Sequence, residues 1–132
     1  MSQENVELVK AFFDAYNARN GEVIDRLLDP DAQVTTLSAR AGLPQRWERG
    51  ATRRYFEQLE ESWADLRVEV EDHRELGDRV VALGRIRGTG KASHVEVVHV
   101  FATVFVVRNS RFIRVDTFDD PRAALEAAGL SE

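Results

Sequence analysis

The sequence contains no cysteine, which excludes disulfides, thiolate metal sites and a thiol nucleophile, and leaves the redox compartment unmarked. Positive charge is in deficit. Lys+Arg number 18 against 23 Asp+Glu, a formal charge of -5, so a function in which phosphate neutralisation supplies the affinity is disfavoured and nucleic acid is not an expected partner. No apolar run approaches membrane-spanning length, and Met1 to Glu7 is polar and acidic rather than basic and then apolar; neither membrane association nor a leader is expected, and the cytoplasm is the expected compartment. Glycine forms no phosphate-cradling loop, because Gly84, Gly88 and Gly90 fall within or at the end of a strand pattern rather than before a helix. Histidine is limited to three, without close His/Asp/Glu spacing, so no metal is expected, and no other cofactor is indicated.

What is present is enough apolar material for one core. A chain of 132 residues, 43% hydrophobic, reads as a single domain over residues 1–132 with no room for a second. Val6, Val9, Phe12, Phe13 and Tyr16 recur at three and four, the period of an amphipathic helix, which Asn20-Gly21 stops. Val23, Ile24, Leu27 and Leu28 make a short second helix ended at Asp29-Pro30, because a proline restrains the residue before it from helical geometry. A brief strand through Val34 follows. Ser38 to Arg49 lacks periodicity and reads as a loop carrying Trp47, with the length to act as a lid. Helical spacing resumes from Gly50 to Trp63 through Tyr55, Phe56 and Leu59.

From Leu66 the period changes to two. Strands are predicted at about Leu66 to Leu76, Arg79 to Thr89, Val95 to Val107 and Arg111 to Phe118, with hairpins at Gly77-Asp78 and Asn109-Ser110 and a closing helix from Arg122 to Ala128 after Pro121. Helical and then strand patterning gives an α+β fold.

Two-residue turns at those hairpins, a middle turn centred near Ala92 and unbroken alternation then sort residues onto faces. One face collects Val68, Val70, Asp72, Leu83, Arg85 and His99, and continues through Phe101, Thr103, Phe105, Arg114, Asp116 and Phe118. The other, running through Val98, Val100, Ala102, Val104 and Val106, is almost wholly apolar. With the helices covering only one face, the apolar one predicts a homodimer, and the mixed one a small-molecule pocket.

Tyr16-Asn17-Ala18, Leu28-Asp29-Pro30-Asp31-Ala32, Gly50 leading into Arg54-Tyr55-Phe56, Leu76-Gly77-Asp78-Arg79-Val80-Val81, Phe101-Ala102-Thr103-Val104-Phe105 and the Ala124-to-Leu130 tail form a pattern spread over nearly the whole chain. In these residues the chain resembles the NTF2-like superfamily, and more closely its SnoaL-like branch. It implies a cone-shaped α+β barrel, a highly curved antiparallel sheet wrapped around N-terminal helices, commonly dimeric, with the pocket at its wide mouth. Such folds serve isomerases, dehydratases, epoxide hydrolases, polyketide cyclases and non-enzymatic binding modules. The positions that carry the tyrosine and two aspartates of the family's steroid isomerases hold Phe12, Thr36 and Thr103, so that enolisation machinery is missing. By resemblance to the polyketide cyclases, Asp116 is the nearest counterpart of their pocket aspartate. The aspartate–arginine–aspartate set of the epoxide hydrolases has Asp72, Arg85 and Asp116 as its candidates here.

Asp116 among phenylalanines is the candidate general acid or base, against an ion pair with Arg114 or a hydrogen bond from Thr103. His99 is the candidate proton shuttle or ligand-orienting donor, against a hydrogen-bonded core histidine. Strand offset sets these two apart by about 13 Å, which disfavours a direct dyad. Arg85 offers a planar fork of donors to a substrate, or pairs with Asp72. Thr103 and Trp47 are the other polar contacts expected, and Phe13, Tyr16, Phe101, Phe105 and Phe118 the apolar wall. His73 and His94 read as solvated. Two functions follow: a cofactor-independent isomerase, cyclase or dehydratase for a small, largely apolar substrate, with Asp116 transferring the proton, or a non-catalytic small-molecule-binding or dimerisation module.

Overall fold

The computed structural model describes residues 2–36 and 51–130. Along the chain run helices α1 (Ser2–Asn17) and α2 (Gly21–Leu27), strand β1 (Leu28–Thr35), helix α3 (Thr52–Ser62), strands β2 (Arg67–Leu76), β3 (Arg79–Thr89), β4 (Glu96–Arg108) and β5 (Arg111–Phe118), and helix α4 (Pro121–Ala127). The strands form one sheet in the order β1-β5-β4-β3-β2. Consecutive strands β2 to β5 pair antiparallel, and β1 joins the β5 edge in parallel, which makes the sheet mixed.

The two tight hairpins lie where the sequence puts them. Leu76 pairs with Arg79 and Arg108 with Arg111. Asn109 and Ser110 both take positive φ, +54° and +62°, the geometry whose twist matches that of the flanking strands. Leu28-Asp29-Pro30 departs from expectation. Helix α2 stops at Leu27, and Leu28 is already extended and opens β1, so proline enters an edge strand, where a missing N–H is tolerated.

Helices α1 to α3 and the inner sheet face enclose the main core, in which Phe105 meets Phe12, Phe13 and Phe112 with ring centroids 5.3, 5.6 and 4.7 Å away. Full burial of such a ring stabilises by about 2–3 kcal/mol. Helix α4 packs on the opposite face: Ala124, Leu125 and Ala128 cover Val81, Ala102 and Val104, with Leu83, Phe118 and Leu130 around them. The outer face is therefore partly covered by the chain itself. Gly129, at φ +82°, ends α4 and lets the Leu130 N–H reach back to the Leu125 carbonyl at 2.7 Å.

The sequence-derived face assignment holds for β4 and fails for its neighbours. The turn between β3 and β4 is longer than supposed, closed by Gly90 N–H to the Val95 carbonyl, and it sets Ile86, not Arg85, opposite His99. Arg85 and Leu83 thus point outward with Val100 and Ala102. In β5 one extra residue, Ile113, is accommodated between the Val107–Phe112 and Val106–Arg114 pairs. The bulge turns Arg114, Asp116 and Phe118 to the outer face, opposite Val106, Val104 and Ala102, and Val115 and Thr117 inward. A second bulge at Glu71 turns His73 inward, opposite Ala82, and Asp72 outward. Gly84 lies against that bulge. A Cβ there would stand 2.0 Å from the Glu69 carbonyl oxygen, so only glycine fits.

Candidate functional site

Between the helices and the inner sheet face lies a cavity of about 300 Å³, at the low end of ligand-pocket sizes. Phe12, Phe13 and Tyr16 of α1, with Tyr55 and Leu59 of α3 and Trp63 just beyond it, form the helical wall. The sheet wall is Val68 of β2, Ile86 and Gly88 of β3, His99, Phe101 and Thr103 of β4, and Val115 and Thr117 of β5, closed at one side by Val34 and Thr35 of β1. Gly88 keeps the space beside Trp63 open, since a Cβ there would come within 2.9 Å of the indole ring.

The helical wall is held to the sheet by polar anchors at the end of α1. Asn17 is bonded to both backbone groups of Val68 at 2.8 and 2.9 Å. Arg19 donates to the carbonyls of Tyr16 and Leu66 at 2.9 and 2.7 Å, pairs with Glu60 at 3.4 Å, and lies over the Tyr16 and Phe56 rings. Its charge is spent on the frame.

Two pairs of hydroxyls face the cavity. The phenol oxygens of Tyr16 and Tyr55, the two tyrosines of the chain, are 3.2 Å apart, and either can be the donor. Burial, chiefly, pushes both phenols above their ordinary value; the neighbouring phenol adds to this at Tyr16 and Arg19 opposes it at both, so both remain protonated at neutral pH. On the sheet wall the Thr103 and Thr117 hydroxyls are 3.1 Å apart on directly opposed residues of β4 and β5. His99 supplies the imidazole, at the solvent-exposed edge of the lining.

The expected site residues divide accordingly. Phe13, Tyr16, Phe101, Thr103 and His99 are brought together around the cavity. Phe105 is fully buried beneath it, sealed among the other phenylalanines rather than lining it. Asp116, Arg85 and Phe118 are on the far side of the sheet. Asp116 is buried, with Arg114 donating to it at 3.2 Å, and Thr103 bonds Thr117 instead. Arg85 pairs with Glu71 at 3.5 Å, and Asp72 with Arg74 at 2.9 Å, so the Asp72–Arg85–Asp116 set does not assemble. Trp47 lies outside the described residues. Tyr55 and Thr117 were missed as site residues. Tyr55 was visible as part of an apolar helical face, and Thr117 follows from β5 once charged Arg114 and Asp116 are set outward.

His73 is not solvated as expected. Its Nε2 is buried without a hydrogen-bond partner among the described residues, and desolvation, with Lys10 nearby, lowers its pKa against the opposing pull of Asp72 and Glu75. Among the described residues no group of three or more His, Asp or Glu side chains converges to hold a metal ion, and no helix is long and apolar enough to cross a membrane.

Fold and site define a small α+β pocket protein, with an apolar cavity between helices and a mixed sheet. The chain belongs to the SnoaL-like family: the model of the SnoaL-like domain matches residues 9–115. Solved structures share the architecture. An NTF2-like protein of unknown function from Burkholderia pseudomallei superposes with a TM-score of 0.73 at 20% identity, covering 93% of this chain and 95% of that one. A protein with a ketosteroid isomerase-like fold from Catenulispora acidiphila, in complex with trimethylamine, gives 0.75 at 17% identity over 94% and 93%. A candidate SnoaL-like polyketide cyclase from Jannaschia sp. gives 0.71 at 24% identity over 88% and 85%. No curated protein matches the chain in sequence.

Proposed function

We propose that the protein takes an uncharged, largely apolar, oxygen-bearing small molecule into the cavity and carries out a cofactor-independent proton transfer on it, of the isomerase, cyclase or dehydratase kind. The observation that carries this reading is the presence of one imidazole, His99, and one hydrogen-bonded phenol pair, Tyr16–Tyr55, on the same apolar cavity. A neutral imidazole accepts a proton from a carbon next to a carbonyl. The electron pair left behind moves onto the carbonyl oxygen, where a phenol O–H stabilises it, and the imidazolium returns the proton at another carbon. Asp116 has no part in this scheme, because its carboxylate is on the other face of the sheet.

A non-catalytic binding role is the second reading. It is favoured by the mutual pairing of the hydroxyls and by the lack of a carboxylate in the cavity lining among the described residues. A thermal-shift screen of apolar carbonyl, polyketide-like and terpenoid compounds, followed by turnover assays of the hits on wild type and His99→Gln, separates the two. Turnover that falls with His99→Gln supports the enzyme, whereas tight binding without turnover of any hit supports the binding module.

We also propose a homodimer through the outer sheet face. Support comes from Val98 and Val100, which remain 43% and 48% exposed beside the area that α4 covers.

A further inference from the structure

We infer that the cavity selects an uncharged ligand bearing oxygen functions at two separated positions, one held by Tyr16 and Tyr55 on the helical wall, the other by Thr103 and Thr117 on the sheet wall. This rests on the small-molecule reading above and narrows it to a substrate class.

The two hydroxyl pairs stand on different layers of the fold. Tyr16 and Tyr55 come from α1 and α3, Thr103 and Thr117 from β4 and β5, and all four line the same cavity. The same lining carries apolar Phe12, Phe13, Phe101 and Val115. A cross-strand threonine pair is common enough as a sheet contact. Here, however, Thr103 is only 2% exposed and sits between Phe101 and Phe105 on the inner face, where valine would fill the same volume without a hydroxyl to satisfy. A hydroxyl both donates and accepts, so either pair can receive a carbonyl or an alcohol by rotation of an O–H.

The same inventory argues against charge. Arg19 is committed to the frame, Arg85 to Glu71 and Arg114 to Asp116, and among the described lining residues there is no Lys, Arg, Asp or Glu. An ionised group lodged between the two hydroxyl pairs would lose its hydration without a counter-charge.

The test is a matched series of three compounds titrated calorimetrically into the full chain: benzophenone, with one carbonyl; 4-(hydroxymethyl)benzophenone, which adds an alcohol; and 4-benzoylbenzoate, which adds a carboxylate. The alcohol is expected to bind about five- to tenfold more tightly than benzophenone, the effect of one added hydrogen bond, and the carboxylate more weakly than either. Thr103→Val with Thr117→Val removes both partners together and is expected to bring the alcohol and benzophenone to equal affinity, abolishing the gain. The matching pair of serine substitutions retains it. Should the double valine variant fail to fold, Thr117→Val alone carries the measurement. Benzophenone binding with no gain from the alcohol, or a gain that survives loss of the threonine hydroxyls, overturns the two-anchor inference and leaves the proposed function standing. Failure of all three compounds to bind overturns both.

Discussion

Asn17 and Val68 are joined as if they were partners in a sheet: the Asn17 amide donates to the Val68 carbonyl at 2.9 Å, and the Val68 N–H donates to the Asn17 side-chain oxygen at 2.8 Å. Val68 lies on edge strand β2, so its outward-facing backbone groups would otherwise be left to solvent or to another chain. The end of α1 thereby takes the place of a missing strand, and Tyr16 is fixed by the same contact.

Asn17→Leu is expected to lower stability by about 2 kcal/mol, two hydrogen bonds at roughly 1 kcal/mol each, and to weaken ligand binding through displacement of Tyr16. Denaturant unfolding measures the first effect and calorimetry the second. A variant as stable as wild type would show that this pairing contributes little.

Asp116 and His99 should respond in opposite ways. Asp116→Asn leaves ligand binding and turnover unchanged and costs about 1 kcal/mol of stability, because the carboxylate holds Arg114 on the outer face. His99→Gln leaves stability nearly unchanged and lowers turnover by about a hundredfold or more. Kinetics and melting of both variants give the comparison, and a large loss of turnover in Asp116→Asn would contradict the face assignment.

The tyrosines can be followed by their own absorbance, since the chain has only the two. Both phenols are raised by burial, so their contribution to stability is complete below the ordinary tyrosine value of about 10 and is lost as pH rises through it toward the folded value. Spectrophotometric titration should show less phenolate in the folded chain at pH 10 than in the denatured chain, with further ionisation accompanied by loss of stability. Equal phenolate in the two states at pH 10 would count against the buried pair.

His73 is expected to make the fold sensitive to mild acid. Its pKa is lowered in the fold, first by burial and then by Lys10, so as pH falls through the ordinary histidine value of about 6.5 the unfolded chain binds the proton first. Stability at this site is complete above that value and declines below it. The melting temperature of wild type should fall between pH 7 and pH 5 more steeply than that of His73→Gln, and equal slopes would assign the acid sensitivity elsewhere.

How much of the structure is legible in the sequence depends on the kind of signal. Strand limits and the tight hairpins were legible because alternation and the turn residues Gly77-Asp78 and Asn109-Ser110 are local. The inner face of β4, with His99, Phe101 and Thr103, was legible too. Arg85 and Asp116 were misplaced because register accumulates along the chain: a longer turn after β3 and one extra residue in β5 each reverse a whole strand, and neither leaves a local mark. The charges held the correction, since β3 and β5 satisfy their arginines and Asp116 only with those side chains outward. Helix α4 was anticipated as an element, but its position over Ala102 and Val104 depended on tertiary packing alone.

The bulge at Ile113 makes the floor of the cavity a matter of counting rather than of composition. Straightening that bulge with every residue kept would pair Ile113 with Val106, reverse β5 and present the Asp116 carboxylate where the Thr117 hydroxyl now stands, without altering any side chain. The same step would drive Arg114 inward and strip Phe118 from beneath α4, so the fold itself opposes the change. Between chains of this architecture, gain or loss of a bulge in the last strand is therefore a route between a neutral pocket and an acidic one, and an alignment without gaps in β5 would conceal it.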